Sequence, residues 1–142
     1  MALILQVLSI NISSQYKNIT FYCNRQKNII LSFYLMPQNK VIEAPVVLFI
    51  YKRPDHALKI IEKINQAKIK KVYIIADGWK NEIDRPEVEQ TRNLVTKIKT
   101  VVEKIFFDKN IGLRKNAEIG LKKVFNFEEK AIILEDLSLI HI

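Results

Sequence analysis

The chain of 142 residues predicts an α/β fold: a parallel sheet of about four strands flanked by helices. Three observations carry this. Four short runs are almost wholly apolar, which is how strands buried on both faces read. Stretches with apolar residues at helical spacing lie between them. A charged or polar group follows every run, as at the edge where such sheets meet solvent and ligands.

The first strand is expected at 46–51, VVLFIY, which is rich in β-formers. Arg53-Pro54-Asp55 ends it, and Pro54 suits the first turn of a helix that places Ala57, Ile60, Ile61 and Ile64 on one face. A second strand at 72–76 runs into Asp77-Gly78. A second helix is expected from Pro86 to about Thr100, with Val88, Leu94, Val95 and Ile98 as its weaker stripe. The third strand is placed at 104–107, before Asp108-Lys-Asn-Ile-Gly112. A third helix then carries Leu113, Ala117, Gly120, Leu121 and Val124 on one face, and 131–134 is the fourth strand.

The ends of the chain differ in texture. Residues 1–35 hold Lys17, Arg25 and Lys27, no Asp or Glu, and no sustained period. They are expected to be an extension outside the fold: either a native, weakly structured one, or translated upstream sequence with Met36 as the true start. After Glu135-Asp136 come Leu-Ser-Leu-Ile-His-Ile, residues 137–142. Those six correspond, codon for codon, to a reading of the transposase mosaic-end adapter of sequencing libraries. The tail is therefore expected to be foreign and the domain, 36–136, to be incomplete.

Composition narrows the partners. The formal net charge is +8, but the lysines alternate with glutamates along helices, so they read mainly as solvated faces. No aromatic–basic pattern supports nucleic-acid binding. Cys23 stands alone, which excludes an internal disulfide. No run approaches the ~18 consecutive apolar residues of a spanning helix. The expected location is cytoplasmic, or peripheral at the inner face of a membrane.

The groups at the strand ends suit an anionic, nucleotide-like ligand. Arg53 has a planar fork for phosphate. Arg114 and Asn116 fall in the first turn of the third helix, where free backbone N–H groups favour anions. Asp77 can accept from a base or ribose, and Glu135 with Asp136 supplies hard oxygens for Mg²⁺ or Mn²⁺. Each also has a simpler explanation. Asp77-Gly78 makes a good turn, Asn110 a helix cap and Gly112 a positive φ. Trp79 suits packing, and His56 and His141 have no evident catalytic partner.

Taken in order, VVLFIYKRPDHALKIIEKI, VYIIADGWKN, FFDKNIGLRKNAEIGLKKVF and EEKAIILED resemble the N-terminal half of a family 2-type glycosyltransferase with the Rossmann-like GT-A fold. IILED is similar to the Glu-Asp-Asp metal motif of the N-acetylglucosaminyltransferase I-like branch. The resemblance covers about 45–136. It implies a nucleoside-diphosphate sugar donor, UDP-linked, an acceptor hydroxyl on a glycan or lipid, and a divalent metal. By that likeness Arg53 and Asp77 contact the nucleotide, Arg114 and Asn116 lie near it and its diphosphate, Glu135 near the ribose and Asp136 at the metal. One departure matters: the motif's last Asp, the main metal ligand, is Leu137 here. The half that would bear the general base is also missing, so the chain is expected to be inactive. The alternatives are a nucleotidyltransferase fragment, which would want a Gly-rich basic loop in place of YKRPDH, and a noncatalytic nucleotide- or phosphate-binding module. A receiver-like module would want an acidic pair where Lys52-Arg53 stand.

Overall fold

The structure, a computed structural model, describes Thr20–Phe21 and residues 41–135. The calls on Met36, Asp136, Leu137 and the tail fall outside those residues. Strands β1 (Thr20–Phe21), β2 (Val46–Ile50), β3 (Lys71–Ala76), β4 (Val101–Phe106) and β5 (Ile132–Glu135) form one sheet, ordered β1-β5-β2-β3-β4 and parallel throughout. Helices α1 (Pro54–Gln66), α2 (Arg85–Asn93) and α3 (Leu113–Phe125) connect the four longer strands.

Alternation along the strands builds two cores, since successive side chains point to opposite faces. Val46, Leu48, Ile50, Val72, Ile74 and Leu134 pack with Ala57, Ile60, Ile61 and Ile64 of α1. Val47, Phe49, Tyr73, Ile75 and Ile133 pack with Ala117, Leu121 and Val124 of α3. A Cβ on Gly120 would lie 2.8 Å from the Ile75 side chain, so the missing side chain lets α3 sit close on β3. No helix among the described residues is long and apolar enough to cross a membrane.

Several boundaries depart from the sequence reading. The second helix gives way after Asn93 to a 3-10 turn, Leu94–Lys97. Asn65 stops it there: its Nδ2 donates to Lys97 O and its Oδ1 accepts from Lys99 N, both at 2.9 Å. β4 can therefore start at Val101, three residues before the expected 104. It is an edge strand with Val101, Glu103 and Lys104 exposed, so its first half lacks an apolar signal. On α3, Leu113 is 63% exposed and Asn116 takes the buried place expected of it. The sheet also has a fifth strand that the reading omitted: Thr20 and Phe21 pair with Ile132 and Ile133 of β5.

The order of the strands positions the site. The chain runs outward from β2 through β3 to β4, then returns to place β5 on the other side of β2. Strand order reverses between β2 and β5, where Val46–Phe49 face Ile132–Glu135 in register. Open α/β sheets form their ligand crevice at such a switch point, beyond the carboxyl ends of the strands.

Candidate functional site

A cleft of about 330 Å³ occupies that point. β2 contributes Phe49 and Ile50; the turn after it contributes Tyr51, Lys52 and Arg53; the residue that follows β3 is Asp77; and β5 contributes Glu135. The loop before α3 and its first turn contribute Asn110, Gly112, Leu113 and Asn116. Of the six residues expected at the site, Arg53, Asp77, Asn116 and Glu135 thus line one cavity. Arg114 is exposed on the first turn of α3 and is not among the lining residues. Asp136 lies outside the described residues.

Asp77 is 5% exposed, and its carboxylate gathers the loop after β4. Oδ1 accepts from Gly78 N and Ile111 N, and Oδ2 accepts from Gly112 N, each at 2.9 Å. These bonds satisfy backbone donors that would otherwise be stranded at a crowded strand end. Gly78 has no positive φ, so the turn explanation does not account for it. It is required because a Cβ there would meet Lys109 C at 2.5 Å. Gly112 does need its φ of 84°, which with a ψ of 155° lies in a region essentially reserved for glycine. Asn110 does not cap α3; its Nδ2 donates to Gly78 O at 2.9 Å, and the N-cap is Gly112. No side chain caps α3, so its first-turn amides are left for solvent or a ligand.

The mouth of the cleft is basic and braced. Lys52 pairs with Asp84 at 3.0 Å. Tyr51 Oη accepts from Lys80 N at 3.2 Å, and burial raises this phenol's pKa against the opposing pull of that N–H. Glu135, opposite Phe49 in the sheet, has its pKa raised by burial, with the Arg53 charge acting in the other direction. Behind the cleft, Arg92 of α2 donates from one Nη to Asp77 O at 2.9 Å and Phe107 O at 2.7 Å, tying the ends of β3 and β4 together. Sequence reasoning missed Tyr51, Asp84 and Arg92. The 88-91-92-95 spacing of buried or half-buried positions was the available signal for Arg92, hidden because Arg was read as solvent-facing.

Among the described residues no group of three His, Cys, Asp or Glu side chains is placed to hold a metal ion. Asp77 is committed to backbone amides, which leaves Glu135 as the available carboxylate of the lining. Mg²⁺ held with a nucleotide needs only one or two carboxylates besides waters and phosphate oxygens, so Glu135 could supply part of such a set. The described residues do not by themselves make the expected metal site. No protein-family model matches the chain, and no curated protein or solved structure is detectably similar to it.

Proposed function

We propose that the cleft binds a nucleoside-diphosphate sugar and that the chain is the nucleotide-binding part of a glycosyltransferase. The observation that carries this reading is the cleft's make-up. At the switch point of a parallel sheet it combines the cations Lys52, Arg53 and Lys80 with the uncapped start of α3 and a buried amide, Asn116. Phosphates suit the cations and the helix amides. Asp77 acts indirectly, holding Gly112 and hence the start of α3 in place. In transfer to an acceptor hydroxyl, these groups would stabilise the charge that develops on the departing diphosphate. With Leu137 where the resemblance calls for an Asp, the expectation is binding without turnover.

A second reading, a noncatalytic nucleotide-binding module, is favoured by Asp77, which is taken up by three backbone amides instead of facing a ligand. Calorimetry with UDP, a UDP-sugar and inorganic phosphate, each with and without Mn²⁺, tests both. Weak saturable binding of UDP, tighter than phosphate, is expected. Absence of UDP binding would overturn the nucleotide reading altogether. Tighter UDP binding in Mn²⁺ would favour the transferase, and indifference to Mn²⁺ the noncatalytic module.

A further inference from the structure

We infer that Asn116 reads the base of the bound nucleotide, its Oδ1 accepting an N–H from the base's hydrogen-bonding edge, the imide N3–H in the case of uracil. This rests on the nucleotide reading above and names a contact within it.

Asn116 is 4% exposed, and its Oδ1 is fully buried with no hydrogen-bond partner among the described residues. Buried polar atoms are nearly always bonded, and leaving one unmet is costly. Asn116 lines the cleft, so a turn of its side chain would bring this covered orphan acceptor to a donor that arrives with a ligand. A diphosphate cannot supply it, since its oxygens at neutral pH only accept. Ribose and sugar hydroxyls can donate, but they are strongly hydrated and would have to enter beside Phe49, Ile50 and Leu113. A base has two apolar faces to lay against such walls and carries its donor on the edge between them. The amide also offers an N–H₂ next to its oxygen, complementary to the carbonyl that flanks a uracil N3–H.

The helix places the amide there for a reason of phase. Gly112 starts α3 with its amide fixed by Asp77, so position 116 faces inward and Leu113 outward. An apolar residue at 116 would suit the core better, which makes the polar choice informative.

The test is calorimetry of the full chain with UDP, N3-methyl-UDP and inorganic pyrophosphate, on the original protein and on Asn116→Ala. The original should bind UDP at least about tenfold more tightly than the methylated analogue. Asn116→Ala should erase that difference, because it removes the acceptor and leaves room for the methyl group. Equal binding of the two by the original, or discrimination that survives in Asn116→Ala, would overturn the role of Asn116 while leaving the nucleotide reading intact. Binding of pyrophosphate as tightly as UDP, or no binding of either, would overturn both. Thermal unfolding of ligand-free Asn116→Leu gives an independent readout: an unpartnered amide predicts an unchanged or higher midpoint. A clearly lower midpoint would show that the amide has a structural partner and would count against the inference.

Discussion

The Asp77 carboxylate holds the amide of Gly112 at 2.9 Å, so the end of β3 sets where α3 begins. The same side chain accepts from Gly78 and Ile111. One buried anion thus organises both loops at the rear of the cleft.

Asp77→Asn should therefore destabilise the fold and blunt the cleft together. An amide must turn an N–H₂ toward at least one of three N–H groups, leaving donors unmet. A loss of roughly 2–4 kcal/mol is expected from urea unfolding. A variant as stable as the original would show that these amides find other acceptors.

The two glycines of this junction should fail for different reasons. Gly78→Ala drives a Cβ into the backbone of Lys109 and Asn110, which cannot yield as a side chain tip would. Gly112→Ala meets no atom within 4 Å but must adopt φ 84°. Each should cost roughly 1–3 kcal/mol. Placing D-alanine at 112 by chemical synthesis should recover stability there; at 78 it should not.

How much of this was legible follows from what each residue faces. VVLFI and KVYIIA lie in the middle of the sheet, buried on both faces, and declare themselves by continuous apolarity. β4 lies at the edge, so Glu103 and Lys104 are permitted and the signal fades. Two-residue β1 is too short to carry any period. The strand-end list anticipated Arg53, Asp77 and Glu135 as cleft-lining residues because topology alone brings strand ends together. The Leu113–Asn116 exchange was not legible: it depends on the phase at which Gly112 launches the helix, a tertiary effect of Asp77.

Arg92 shows the same limit. Its guanidinium joins carbonyls from two strands and lies 4.8 Å from the Phe106 ring centre, and burial lowers its pKa. Arg92→Lys keeps the charge, but its shorter stem and strongly hydrated ammonium must replace the single Nη that reaches both carbonyls. Arg92→Met should cost roughly 2–4 kcal/mol by leaving them unmet. Hydrogen exchange should quicken at the β3 and β4 carboxyl ends first, and uniform quickening would count against a local clamp.

Glu135 sets a pH dependence. Burial raises its pKa above the ordinary 4.5, so the folded state holds the proton more tightly than the unfolded chain. That contribution is complete below 4.5 and is lost as pH rises through the elevated folded value. Glu135→Gln removes the cost of a buried charge. Its advantage in urea midpoint should be absent in acid and grow toward neutrality, and parallel curves for the two proteins would refute this.

Arg53 connects the Glu135 titration with the proposed ligand contact. Its charge acts against the upward shift of Glu135, and both residues line the cleft. Arg53→Ala should therefore raise the Glu135 pKa further, visible as a later titration of that side-chain carboxyl by NMR. The same substitution removes the fork best suited to a diphosphate, so UDP affinity should fall about tenfold or more. Arg53→Lys should restore the Glu135 titration largely and the affinity only in part, because a point charge replaces the electrostatics but not the bidentate geometry. Full recovery of UDP binding in Arg53→Lys would mean that charge alone draws the phosphates. A Glu135 titration unmoved by Arg53→Ala would separate the two residues and remove Arg53 from the cleft's chemistry.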